Sequence, residues 1–362
     1  MRYYFDHNAC TPVDPRVLER FAEVEAACPG NPGSLHAAGR QARAVVEESR
    51  DLVAATLDVL RDCVLFVSGG TEANNTIILG AGDLSLPVLC GPVEHPSVLA
   101  CAETRGIASW DIDSLGAVAV TTPDQPVGLV SLVHGQNEVG TLQPVAAAIT
   151  LAGELGVPIH IDASQTLGRC PVLDLVAAAD SVAFSTHKAG GLRGMGILVD
   201  KNTNTVPRLI GGGQQRSRRP GTESPGLIAA SALALQLAVE EQEARAKAMR
   251  AAGDAFVAEV ASTTARLLTP PNCLPNTAMF LFDVPDGRQL LPALDMAYVQ
   301  ASQGSACSSG SPTPPLVLNA MGLGEDESRA CVRFSFSHNT PPQDAADGGR
   351  IVKNVVKRLR TR

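Results

Sequence analysis

Between residues 60 and 210, short apolar runs alternate with longer stretches whose apolar positions recur at helical spacing. The runs Cys63–Val67, Pro87–Cys90, Gly128–His134, Pro158–Ile161, Ser181–Phe184 and Gly196–Val199 have strand length and are bounded by turn-forming residues. Helical patterns lie between several of them, such as Pro144–Leu155, which Gly156 and Pro158 bring to an end. This alternation predicts an α/β fold with a mostly parallel sheet and helices on both of its faces. Ligands of such sheets sit beyond the carboxyl ends of the strands, so those ends are where chemistry is sought.

The pattern then changes. From Gly226 to about Leu268 the chain is Ala-rich and reads as one long helix linking two domains, broken at last by Pro270, Pro271 and Pro275. Short strands at Thr277–Phe282 and Cys331–Ser335, mixed with helices, predict a smaller α+β domain. The expected division is a large domain over 16–250 and a small one made of 1–15 and 251–362. The Gly-, Ser- and Pro-rich stretch 302–315 reads as a loop, and it carries Cys307.

Composition narrows the choices. A net charge of -8 argues against a general nucleic-acid binder. Nine cysteines without a C-x-x-C pair suit neither a zinc site nor a disulfide framework, and no metal is expected. The first twenty residues include Arg2, Asp6, Asp14, Arg16 and Glu19, unlike a signal peptide, and the apolar run 226–239 is short for a membrane span. A cytoplasmic protein is the expectation. Five lysines stand against 24 arginines, none before Lys188, so the search for a lysine with a chemical task is short.

Several strand ends carry chemically apt groups. After Val67 comes Ser68-Gly69-Gly70-Thr71, where backbone N–H groups and a helix N-terminus could cradle an anion; a plain strand–helix turn with Thr71 as N-cap accounts for it too. Ser185-Thr186-His187-Lys188 closes another strand, and a desolvated lysine there can form a Schiff base with an aldehyde cofactor. Asp162 ends a third, where a carboxylate could keep a pyridine nitrogen protonated or simply cap the next segment, with Gln165 close behind. His95 follows the strand at Pro87–Cys90 and could stack on a flat ring or move protons; Asn137 follows the strand at Gly128–His134.

In this order the motifs resemble the cysteine desulfurase family, class V, fold-type I pyridoxal-phosphate enzymes. They are Asp6-His7-Asn8-Ala9, Gly69-Gly70-Thr71-Glu72-Ala73-Asn74-Asn75, Glu94-His95, Asn137-Glu138-Val139-Gly140, His160-Ile161-Asp162-Ala163-Ser164-Gln165 and Ser185-Thr186-His187-Lys188. Gly211-Gly212-Gly213, Arg219-Pro220-Gly221-Thr222, Gly304-Ser305-Ala306-Cys307 and Val332-Arg333-Phe334-Ser335 extend the likeness over nearly the whole chain.

The resemblance implies a seven-stranded sheet and pyridoxal 5'-phosphate as cofactor. Lys188 would hold the cofactor and move the α-proton, Asp162 would pair with the pyridine nitrogen, Gln165 with the ring oxygen, and His95 would stack on the ring. Gly70, Thr71, Ser185 and His187 would bind phosphate, and Thr222 would reach the phosphate of a partner subunit in a homodimer. Asn137 and Arg333 would hold the carboxylate of L-cysteine, a task suited to a bidentate guanidinium. Sulfur would pass to Cys307 as a persulfide for an acceptor protein such as an iron–sulfur scaffold, and L-alanine would leave. Three positions depart from the family pattern: Cys10 where threonine is usual, Gln214-Gln215 in place of His-Glu, and Gly191 where bulkier residues are frequent. A selenocysteine lyase, an aminotransferase and a non-catalytic scaffold for sulfur assembly are competing readings. Nucleic-acid binding through Arg216, Arg218 and Arg219 is another, weakened by the acidic total.

Overall fold

The computed structural model describes residues 2–202, 204–261, 263–304 and 315–361. Its strands are β1 Tyr3–Tyr4, β2 Val64–Val67, β3 Val88–Cys90, β4 Ile107–Ser109, β5 Leu129–Val133 and β6 Ile159–Asp162. They continue with β7 Ser181–Phe184, β8 Gly196–Asp200, β9 Arg266–Leu267, β10 Thr277–Leu281, β11 Val299–Gln300 and β12 Cys331–Ser335.

Seven of them form one sheet in the order β2-β8-β7-β6-β5-β3-β4. Only β8 runs against its neighbours β2 and β7; the other pairings are parallel. It follows that β2 points the same way as β3 to β7, and six carboxyl ends share one edge. Every residue of β2, β5, β6, β7 and β8 is buried, as a sheet covered on both faces requires. The period of two then sorts side chains between faces. Val64, Phe66, Ile159, Ile161 and Val182 enter one core, whereas Leu65, Val67, Ala183 and Leu198 enter another. His160 and Asp162 therefore face the second side, with Ala183.

Among the helices are α1 Pro15–Ala27, α2 Ala37–Leu57, α3 Gly70–Gly80, α4 Pro96–Arg105 and α5 Val145–Leu155. Ala73, Ile77 and Ile78 of α3 and Val98, Cys101 and Ala102 of α4 close that second core, which places both helix N-termini at the carboxyl edge.

The single long helix expected over 226–268 is two, Pro225–Glu240 and Gln242–Val260. The break falls at Glu241, whose backbone leaves the helical region (φ -96°, ψ 6°). Its carboxylate is held by Arg16 at 2.6 Å and Arg245 at 2.7 Å. Nor does helix continue to Leu268. Thr263 turns its hydroxyl onto the carbonyl of Val260 (2.7 Å) and accepts from the Ala265 N–H (3.1 Å), and the chain leaves as edge strand β9.

The second helix of the pair carries Ala252, Phe256 and Val260 into a separate core with Phe5, Phe280, Phe282, Phe334 and Phe336, beneath the antiparallel sheet β12-β10-β9. Val317 and Leu318, from a stretch assigned by sequence to the small domain, pack instead into the large core. No helix among the described residues is long and apolar enough to cross a membrane.

Candidate active site

One cleft of about 360 Å³ opens on the carboxyl edge of the sheet. Ten of the residues singled out in the sequence line it: Gly70, Thr71, His95, Asn137, Asp162, Gln165, Ser185, His187, Lys188 and Arg333. They come from after β2, β3, β5 and β7, from β6 and its following turn, and from β12. Thr222 is exposed and absent from the lining, and Cys307 lies outside the described residues.

The glycine turn is a built cradle. Helix α3 is capped by Gly69, which displaces Thr71 from the N-cap position and leaves it exposed at the cleft. The Gly70 N–H donates to Ser185 Oγ at 3.1 Å. A methyl group on Gly70 would stand 2.4 Å from Ser185 Oγ and 2.9 Å from Ser164 Oγ, so only glycine brings the two strand ends this close. Ser164 Oγ is buried without a partner, a polar atom that a bound group would satisfy.

Asp162 is buried. Its Oδ1 accepts from the Ser164 N–H at 2.9 Å and its Oδ2 from Asn74 Nδ2 at 2.8 Å. Burial pushes its carboxyl up, but the Lys188 ammonium and these two donors outweigh that and hold it below the usual carboxylate range. Burial and the neighbouring Asp162 charge push Glu94 the other way, up to about 8. Burial, with Lys188 and Arg193 adding repulsion, pulls His187 down to about 4, and burial and Lys188 also lower His95. Cleft histidines are thus neutral near pH 7, while Asp162 is charged.

Other side chains are already engaged. Gln165 donates from Nε2 to the Asn8 carbonyl at 2.9 Å and accepts from Arg169. Arg333 donates to the Asn137 carbonyl and to Asp6 Oδ1, both at 2.7 Å, while its buried Nε–H lacks a partner. Arg169 ties the amino-terminal segment down, reaching Asn8 Oδ1 (2.9 Å), the His7 carbonyl (3.0 Å) and the Lys188 carbonyl (3.2 Å).

Sequence reasoning gave no role to Asn74, Ser97, Ser164 or Arg193, which also line the cleft. Asn74 was open to detection: it lies four residues, one helical turn, beyond Gly70 and so shares its face. Cys10, the unusual residue of its motif, accepts from Arg193 Nε at 3.1 Å on the rim. Gln215, also unusual, is buried and accepts from Arg50 and the Phe66 N–H, each at 3.1 Å, and does not line the cleft. Gly191 stands where a methyl group would meet Thr186 Cβ at 2.8 Å. Among the described residues no group of three or more His, Cys, Asp or Glu could hold a metal ion.

The residues present suit a flat, phosphorylated ring. The cradle offers N–H and hydroxyl groups, and the buried Asp162 anion lines the same cleft in charge contact with Lys188.

Comparison with known proteins agrees with this geometry. The family model for class-V aminotransferases matches residues 3–346. A protein of Dictyoglomus turgidum named cysteine desulfurase IscS is 32% identical, over 99% of this chain and 95% of that one. A solved NifS-like protein superposes with a TM-score of 0.88 at 30% identity, over 99% of both chains. Another solved structure, described as SspA in complex with cysteine, gives 0.79 at 28% identity over 93% of this chain and 99% of that one. From fold, cleft and these likenesses together, the chain belongs to the class-V aminotransferase family.

Proposed function

We propose that the protein is a cysteine desulfurase that binds pyridoxal 5'-phosphate in the cleft, converts L-cysteine to L-alanine and receives the sulfur on Cys307. The observation that carries this reading is the meeting of Lys188, the ionised Asp162, His95 and the Gly70–Ser185 cradle at one sheet edge. When bound, the cofactor supplies an electron-withdrawing ring that takes up charge from the substrate's carbon skeleton.

The chain's residues do the rest. Gly70, Thr71, Ser185 and His187 bind the phosphate. Asp162 holds a proton on the ring nitrogen, Gln165 donates to the ring oxygen, and His95 covers the ring face. Arg333 and Asn137 grip the substrate carboxylate, for which the unpartnered Arg333 Nε–H is one donor. Lys188 takes the proton from Cα and supports its return, so that alanine departs. The Cys307 thiolate attacks the substrate sulfur: an S–S bond forms as the Cβ–S bond breaks, and Cβ gains a proton.

Although Cys307 itself is not described, its flanks favour the assignment. Ser302 pairs with Arg333 through backbone bonds of 3.2 and 2.7 Å. At Gly304 a methyl group would stand 2.8 Å from Pro315 and 3.5 Å from Glu138, so both ends of the intervening segment meet beside the cleft. Cys307 is three residues from Gly304, at most about 10 Å of extended chain.

The two-domain division at about residue 250 belongs to the same proposal, supported by the two cores, as does a homodimer in which the exposed Thr222 completes the partner's phosphate site. An acceptor protein, such as an iron–sulfur scaffold, would then collect sulfur in the cytoplasm. Incubation with L-cysteine and a thiol reductant should yield alanine and sulfide in equal amounts, and Cys307→Ala should abolish both. A keto acid in place of alanine, or undiminished turnover in Cys307→Ala, would overturn the reading.

A further inference from the structure

The polar side chains behind the cleft form one continuous chain whose hydrogen positions can be worked out from a single starting point. Asp162 is ionised and can only accept, so the atom of Asn74 facing it at 2.8 Å is the amide nitrogen. The second hydrogen of that nitrogen reaches Ser97 Oγ at 2.9 Å. Asn74 Oδ1 then faces His160 Nε2 at 3.0 Å, and that nitrogen carries the proton. His160 Nδ1 is left as acceptor for Ser181 Oγ at 2.9 Å. Burial pulls His160 down to about 4, so it stays neutral in this role.

The other branch ends in the cleft. Having accepted from Asn74, Ser97 Oγ gives its own hydrogen to His95 Nδ1 at 2.8 Å, and the Ser97 N–H points to the same nitrogen at 3.1 Å. His95 Nδ1 is doubly supplied and cannot carry a proton. The hydrogen of the neutral ring is on Nε2. Asn74 is 1% exposed and has every hydrogen and lone-pair direction that matters in use, so no water can replace it without rebuilding the set.

We infer that Asn74 is a positioning residue that fixes the Asp162 carboxylate on one side and, by turning the Ser97 hydroxyl towards His95 Nδ1, steadies the His95 ring on the other, whose Nε2–H tautomer the Ser97 N–H also enforces. One amide thus keeps the ring-nitrogen partner and the ring-face partner in register. Lengthening or deleting it frees both. This inference deepens the proposed function and rests on it for the cofactor, but the tautomer follows from the chain's own atoms.

Two measurements on the apoprotein test it. The first is the affinity for added pyridoxal 5'-phosphate, followed by visible absorbance, in wild type, Asn74→Ala and Ser97→Ala. Loss of the Asn74 donor should weaken binding roughly 10- to 100-fold, whereas Ser97→Ala should cost no more than about threefold. The second is the side-chain ¹⁵N spectrum of histidine-labelled apoprotein, with the His95 signal identified by its loss in His95→Gln. Wild type should show the Nε2–H tautomer with a strongly hydrogen-bonded Nδ1, and both Asn74→Ala and Ser97→Ala, which leave Nδ1 chiefly the Ser97 N–H, should move the His95 Nδ1 resonance towards that of a weakly bonded ring nitrogen. Where Asn74→Ala does not fold, Asn74→Leu, which roughly keeps the size but can neither donate nor accept, should show the same two effects. Binding within twofold of wild type together with an unchanged His95 spectrum would overturn the inference. Failure of the wild type to bind the cofactor would sink the proposed function instead, and the spectrum would still judge the role of Asn74.

Discussion

Six of the nine phenylalanines sit in the core beneath β10 and β12, whereas the seven-stranded sheet is filled mainly by Val, Leu, Ile and Ala and holds Phe66 and Phe184. In the aromatic core Phe256 lies 4.5 Å from Phe334 and 5.3 Å from Phe336 between ring centroids, and Phe5 is 5.1 Å from Phe336. Large rings let few residues exclude water from a small layer. In the sheet, by contrast, His160, Ser181 and Asn74 are buried with hydrogen-bond partners for each polar side chain. The lesson is a division of labour: one core stores stability, while the other spends part of its interior on groups that orient a cleft.

The largest effect that bears on this division is expected for Lys188→Ala. Alanine formation should fall at least about 1,000-fold, with the urea midpoint of the apoprotein nearly unchanged. Parallel loss of stability and activity would erase the contrast. Next comes Phe256→Ala, which should destabilise by about 3–5 kcal/mol in urea titrations because it opens a cavity among fixed rings. The turnover of the remaining folded enzyme should stay within about twofold; a selective fall in turnover would show that the aromatic core tunes the cleft.

A third test uses pH. His7, His134, His160 and His187 have folded values near 4, well below the ordinary 6.5, because burial disfavours their charge. The unfolded chain binds more protons than the folded one between these limits, so stability falls as pH drops from 6.5 to 4. Each such group contributes at most about 1.4 kcal/mol per pH unit. Glu94, raised to about 8, acts oppositely and offsets one of them above 4.5. Urea midpoints at pH 7.5, 6 and 5 should therefore decline, and His160→Gln should flatten the slope; a constant midpoint would contradict neutral burial. The smallest effect is expected for Cys10→Thr, since a threonine oxygen can also accept from Arg193. Stability should change by less than about 0.5 kcal/mol and KM by less than about twofold, and a tenfold KM change would make the rim thiol part of substrate recognition.

The strands of the large sheet were legible because fully buried runs between turn residues leave few alternatives. The expected run Ser181–Phe184 coincides with β7, and Cys63–Val67 with β2 to within one residue. Edge strands of two or three residues, β4 and β9, are too short to show a period. The break at Glu241 escaped because the Ala-rich composition continues across it, and what stops the helix is a distant arginine, Arg16. The cleft residues were legible as chemistry at strand ends. The support behind them was not, because Asn74 meets His160 and Asp162 across 86 and 88 residues, and no local pattern encodes such a contact.

Asn8 has a consequence for biosynthesis. Its N–H donates to Ser335 Oγ, its Nδ2 to Thr277 Oγ1, and its Oδ1 accepts from Asn276 Nδ2, all at 2.9 Å. Asn8 must wait for a partner made 327 positions later. During synthesis the sheet from β2 to β8 can form while the amino-terminal strap has nothing to fasten to. The amino-terminal wall of the cleft therefore takes its place only after Ser335 has been made.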